Sequence, residues 1–213
     1  ADIDGKGISS TYGYFAGGIN ATTGSLCTID RIDFSSETVV TPGTYQLTKA
    51  RHNNASSGLS NPNYGYFGGG NSPIPTPNSL SCTIDRIDFS NETVAVPPVG
   101  KELTQARSDL AAVSNSNYGY FGGGYTPTNR VCTIDRLDFS NETILIPAST
   151  PQLSEGRSGL AALSNSNYGY FAGGSDGGYV ETIDRIDFST ESVTDAAPTE
   201  LSATRIGATG VSN

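Results

Sequence analysis

The stretch Ser114–Gly124, SNSNYGYFGGG, decides how this 213-residue chain is read, because it occurs four times. SNPNYGYFGGG begins at Ser60, SNSNYGYFAGG at Ser164, and a worn copy, SSTYGYFAGG, at Ser9. The tyrosines that open each YGYF, Tyr12, Tyr64, Tyr118 and Tyr168, are spaced by 52, 54 and 50 residues. Two further blocks keep the same period. One reads CTIDRIDFSSETV from Cys27, CTIDRIDFSNETV from Cys82, CTIDRLDFSNETI from Cys132 and ETIDRIDFSTESV from Glu181. The other opens on arginine, as RHNNASSGLS from Arg51, RSDLAAVS from Arg107, RSGLAALS from Arg157 and RIGATGVS from Arg205. Self-similarity at a fixed period marks a repeat architecture, in which each unit buries its apolar face against its neighbours.

The composition selects strands. Gly (26 residues), Ser, Thr, Asn and Tyr (11 residues) are abundant, which suits turns and short strands rather than helices. One unit divides into four strand-length pieces, Arg107–Ser114, Tyr118–Phe121, Cys132–Asp138 and Ile144–Ile146, each bounded by turn signals. The expectation is an all-β protein of one domain, 1–213, with four repeats near 10–50, 51–106, 107–156 and 157–204. A net charge of −9 without basic clusters excludes a nucleic-acid surface, which needs Lys and Arg against phosphate. No apolar run has membrane-spanning length, so no membrane insertion is expected. The chain begins at Ala1 and contains no Met, which reads as processed ends or an excerpt of something longer.

Four strands in about 50 residues is the arithmetic of a propeller blade. RSGLAALSNSNYGYFAGG, Arg157–Gly174, resembles the kelch repeat: an arginine-led strand of small residues, then a hydrophobic strand ending in Gly-Gly. The family's later aromatic is replaced by Ile32, Ile87, Leu137 and Ile186, and its tryptophan by Val39, Val94, Ile144 and Val193. The repeats also resemble kelch-type repeats of marine-phage virion-associated proteins. The resemblance implies a kelch-like β-propeller, of four blades here, with residues 205–213 completing the first blade. Closure would remove an exposed edge, and the small residues SSG, DLAA, GLAA and IGAT suit a narrow axis. The alternative is a piece of a longer array, or a subunit that adds a strand to its neighbour and grows into a fibre.

Candidate sites are few. The glycines after YGYF lead into no helical pattern, so they read as strand punctuation rather than a phosphate loop. Asp30/Arg31, Asp85/Arg86, Asp135/Arg136 and Asp184/Arg185 recur in every unit and read as architecture. Neighbours in a strand face opposite ways, so each arginine is expected to meet a carboxylate from another strand or an adjacent blade. A second reading rings Arg51, Arg107, Arg157 and Arg205 at a channel mouth for an acidic ligand. Cys27, Cys82 and Cys132 are equivalent positions and read as half-buried thiols without disulfide or zinc. His52 is the lone histidine, so no catalytic arrangement, metal site or cofactor is expected; the copper oxidase chemistry found on some kelch-type propellers needs more ligands. The acidic residues of DFSNET fit no recognised calcium loop and read as a hairpin turn.

Asn20, Asn54, Asn91 and Asn141 head N-x-S/T sequons, sites of glycosylation in a secretory route. The turns SNSN and DFSNET are nearly uniform and belong on one face. The loops on the other face differ in every unit, so recognition is expected there, through Tyr45, Tyr125, Arg130 and Tyr179. The sequence thus points to a non-catalytic structural or recognition protein of an extracellular or virion surface. Its expected partner is a glycan or a protein, a copy of itself in a fibre included.

Overall fold

The computed structural model describes residues 11–41, 43, 45–53, 58–72, 79–96, 101–146, 151–196 and 200–212. The described residues are all-β, with no helix. The first repeat gives β1 (Tyr12–Ala16), β2 (Ile19–Asn20), β3 (Gly24–Ser25), β4 (Ile29–Asp33) and β5 (Thr38–Val40). The second gives β6 (Leu59–Ser60), β7 (Tyr64–Gly68), β8 (Asn71–Ser72), β9 (Ser79–Leu80), β10 (Ile84–Asp88) and β11 (Val94–Ala95). The third gives β12 (Ala111–Ser114), β13 (Tyr118–Gly122), β14 (Ile134–Asp138) and β15 (Ile144–Leu145). The fourth gives β16 (Ala161–Ser164), β17 (Tyr168–Ala172), β18 (Ile183–Asp187) and β19 (Val193–Asp195).

Three of the four repeats form antiparallel sheets of four strands, ordered β6-β7-β10-β11, β12-β13-β14-β15 and β16-β17-β18-β19. The first sheet has three, β1-β4-β5, and lacks a strand on the far side of β1 among the described residues. The register repeats: Tyr66 faces Arg86, Tyr120 faces Arg136 and Tyr170 faces Arg185 across the central pair. The two hairpin turns explain that regularity. In SNSN the Asn115 side-chain oxygen accepts from the Asn117 and Tyr118 amides, an Asx turn that Asn61 and Asn165 repeat. In DFSNET the Asp138 carboxylate accepts from the Ser140 amide and hydroxyl, and Glu142 takes a left-handed φ of 58°.

The core lies between sheets rather than within one. Ala111, Val113, Tyr120 and Ile134 of the third sheet pack on Ala162, Phe171, Ile186 and Phe188 of the fourth. A second cluster joins Leu59, Tyr66 and Ile84 to Ala112, Phe121 and Leu137, and a third joins Ile29 and Leu47 to Ile87. Both faces of a middle sheet are therefore covered, which is why β13 is buried along nearly its whole length. The fit is close: a Cβ on Gly68 would sit 2.7 Å from the Phe121 ring, and one on Gly122 2.7 Å from Phe171. The arginine-led segments are also joined one to the next. The Asp109 amide donates to Asn53 O (2.9 Å), the Gly159 amide to Asp109 O (2.8 Å) and the Gly207 amide to Gly159 O (3.0 Å).

Of residues 205–213, expected to complete the first blade, the described 205–212 form no strand. They run beside the fourth sheet, where a Cβ on Gly210 would meet Ala162 O at 2.5 Å.

Candidate functional site

The Asp-Arg pairs divide their labour because strand neighbours point to opposite faces. In the last three repeats the Asp turns inward. Asp85, Asp135 and Asp184 are fully buried and hold the leading arginine of their own sheet: Arg51–Asp85 at 2.7 Å, Arg107–Asp135 at 3.2 Å, and Arg157 with Asp184. Those three arginines are themselves completely buried, so the channel-mouth reading of Arg51, Arg107 and Arg157 is corrected. The physical reason is that the guanidinium lies along the apolar sheet interior and satisfies a backbone carbonyl as well. Arg51 donates to Phe67 O, Arg107 to Phe121 O, and Arg157 to Gly173 O and Thr182 O. Burial pushes Arg51 and Arg107 below the ordinary arginine value while the paired carboxylate opposes that shift. Each Asp is further capped by the residue that precedes its arginine by three: Thr48, Thr104 or Ser154 donates from its hydroxyl.

In the first three repeats the Arg of the pair turns outward and bridges to the next repeat. Arg31 meets Glu92 at 2.6 Å, Arg86 meets Glu142 at 2.7 Å and Arg136 meets Glu191 at 2.7 Å. The same glutamate accepts from a tyrosine hydroxyl: Tyr14 on Glu92 (3.1 Å), Tyr66 on Glu142 (3.2 Å) and Tyr120 on Glu191 (3.0 Å). Those tyrosines stack on Phe89, Phe139 and Phe188, with centroids 5.4, 5.5 and 5.3 Å apart. The arginines in turn cover Tyr12, Tyr64 and Tyr118. Partial burial raises the Glu92 carboxyl, but the bonds from Arg31 and Tyr14 outweigh it and hold the group below its ordinary value. Burial, reinforced by the glutamate, pushes the phenols of Tyr14, Tyr66 and Tyr120 well up. Sequence reasoning missed the glutamate and the phenylalanine of DFSNET as seam residues. The available signal was their presence in all four repeats beside an invariant arginine.

At the variable loops, each Gly-Gly feeds a second small hairpin. In the first two repeats these are β2-β3 and β8-β9; in the third and fourth, single bridges pair Tyr125 with Arg130 and Ser175 with Tyr179. Further bridges tie three of these hairpins to the arginine-led segments, through His52–Asn71, Ser108–Tyr125 and Ser158–Ser175. Tyr179 is 63% exposed and Tyr125 40%, with the Arg130 guanidinium 6.0 Å over the Tyr125 ring. In that loop the Thr126 hydroxyl donates to Asn129 O, which fixes the tip. Tyr45 does not belong with them. It is 4% exposed and packs with Ile29, Leu47 and Ile87, because it shares the inward face of its segment with Leu47 two residues on. Burial pushes its phenol up.

Asn20, Asn91 and Asn141 are exposed, and Asn54 lies outside the described residues. The Asn91 and Asn141 amide oxygens accept from the Thr93 and Thr143 hydroxyls within the turn. Cys27, Cys82 and Cys132 are free, half-buried thiols that reach Gln46, Glu102 and Gln152. Burial first, then Glu102, pushes the Cys82 thiol up. His52 Nδ1 lies 2.7 Å from the Ser25 hydroxyl, joining the first loop hairpin to the segment led by Arg51. Among the described residues no three His, Cys, Asp or Glu side chains gather as a metal would require. Compared with known proteins, the chain matches no family model and no curated relative.

Proposed function

We propose that the four sheets are blades of a kelch-like β-propeller, the first completed by an arginine-led strand of the 205–212 kind. In this reading the protein is a non-catalytic structural or recognition component of an extracellular or virion surface, and its partner is a glycan or a protein. The observation that carries it is the contrast between seams and loops. The seam residues are the same from repeat to repeat, whereas the hairpins after Gly-Gly differ in length and sequence in all four. Packing dictates the first set and leaves the second open to selection for contact.

Tyr125, Arg130 and Tyr179 are the contacts: the tyrosines offer large faces with little side-chain entropy to lose and a polar tip, and Arg130 adds a guanidinium over the Tyr125 ring. Such tyrosines suit stacking against a sugar ring or a protein surface. Glycan arrays and pull-downs on the 213-residue protein test the reading. Replacing Tyr125, Arg130 and Tyr179 together by Ser is expected to lower retention roughly tenfold or more, the loss of about one hot-spot side chain. Retention equal to that of the unaltered protein would move recognition elsewhere.

A further inference from the structure

The first and fourth sheets carry, unmatched, the two halves of the seam that recurs between the sheets. On the first sheet, Phe34 and Glu37 occupy the positions of Phe89, Phe139 and Phe188 and of Glu92, Glu142 and Glu191. Glu37 already has the left-handed conformation of its counterparts, φ 54° against 55–58°. Yet Glu37 is exposed, Phe34 is 53% exposed where Phe188 is 8%, and Phe15 is 63% exposed where Phe121 and Phe171 are 0%. On the fourth sheet, Tyr170 and Arg185 are the counterparts of Tyr120 and Arg136. Arg185 lies over Tyr168, as Arg136 lies over Tyr118, but has no carboxylate partner among the described residues. Beside it is an apolar groove lined by Ala161, Leu163, Tyr170, Ala172, Ile183 and Leu201. In the third sheet the corresponding Ala111, Val113, Tyr120, Ile134 and Leu153 are the seat of Phe171 and Phe188.

The segment from Leu201 is set for the same purpose. The Leu201 amide donates to Glu181 O, the Arg205 amide to Val180 O, and Arg205 O accepts from Gly174. The three internal segments make the same bonds, for example Leu153 to Cys132 O, Arg157 to Val131 O, and Gly124 to Arg157 O. Gly207 has φ 67°, as Gly159 does. Inside the molecule this conformation delivers an arginine to a buried aspartate and an inner strand to YGYF. Among the described residues Arg205 is exposed, Asp30 has no arginine, and β1 lacks that inner strand.

We propose that the first sheet of one molecule seats on the fourth sheet of a second copy of this chain. In that joint Phe34 stacks on Tyr170, Arg185 pairs with Glu37, Phe15 enters the groove against Ala172, and 205–212 of one copy pairs with β1 of the other. Arg205 then reaches Asp30. Three internal seams of the same residue types and opposite charge at matching positions argue for this occupant. In the first internal seam Ala16 and Phe67 pack against one core cluster, at the positions where Gly68 meets Phe121 and Gly122 meets Phe171, so an alanine at 172 is compatible with a phenylalanine. Within one copy these two faces do not meet among the described residues: Arg185 is not paired with Glu37, nor Arg205 with Asp30, and Phe15 and Phe34 stay open to water. The contact is head-to-tail, so it propagates or closes only through further copies.

Sedimentation velocity and light scattering on the 213-residue protein over a dilution series test the joint. The unaltered protein is expected to gain mass with concentration. Arg185→Glu alone and Glu37→Arg alone place like charges across the joint and are expected to weaken association roughly tenfold. An equimolar mixture of the two variants restores opposite charges at every joint and is expected to assemble again, which also shows that both variants are folded. A protein monomeric at all concentrations, or variants that assemble like the parent, would overturn the proposal. The joint does not depend on the loop contacts proposed above, so a negative glycan array leaves it standing.

Discussion

The buried Arg107–Asp135 pair is the residue on which the third sheet turns. Two ions in a dry site are tolerated because each finds additional partners: Phe121 O for the arginine, the Thr104 amide and hydroxyl for the aspartate. Removing one ion leaves the other uncompensated. Arg107→Met is therefore expected to lower unfolding stability by roughly 3–5 kcal/mol, and Arg107→Met with Asp135→Leu by less than the single change. Denaturant titration measures both, with Arg130→Met at the loop surface as a near-neutral control. Recurrence marked Arg51, Arg107 and Arg157 as one repeated position and suggested a ring at a channel mouth, but the sequence did not say what each arginine packs against. Their partners lie 27 to 34 residues onward, and only the fold selects between a mouth and a core. Tyr45 was misplaced for the same reason, since linker composition says nothing about which face of the segment is covered.

At the scale of the strand and its turn, Gly-Gly serves both conformation and space. Gly123 has φ 67°, and a Cβ there would stand 2.6 Å from Arg157 O and 2.7 Å from Leu160. The backbone carbonyl has no room to withdraw, because the next amide, Gly124, donates to it. Gly123→Ala is thus expected to cost more than the roughly 1 kcal/mol of left-handed strain alone. Gly178→Ala, with nothing nearer than Asp176 at 3.9 Å, is expected to be neutral. Thermal melts of the pair check this. These elements were legible in advance: the strand in YGYF, the Asx turn in SNSN and the hairpin in DFSNET all follow from local chemistry. What the local pattern hid is the second use of DFSNET, whose Glu142 adopts an unfavourable φ and reaches Arg86 in the previous repeat.

Across the whole molecule, one tyrosine guards each internal seam. Folding raises the phenol pKa of Tyr14, Tyr66 and Tyr120, so the folded state keeps protons that the unfolded state releases above about pH 10. The stability they contribute is complete below that pH and declines as alkalinity rises toward their folded values. Ultraviolet titration is expected to show that these phenols ionise late, together with loss of the β circular-dichroism signal. Ionisation of all eleven tyrosines in one step at the ordinary value, with the fold intact, would contradict the seam geometry.

Every internal seam repeats the same arginine, tyrosine, glutamate and phenylalanine, so the units share one joining chemistry. The Arg31, Tyr14, Glu92 and Phe89 set could be cut at one junction and rejoined at another without a new interface having to be invented. Gain or loss of a whole unit would re-form a joint of those same four side chains, while the hairpins after Gly-Gly differ from unit to unit. The molecule is in that sense a vocabulary of loops strung on one grammar of joints.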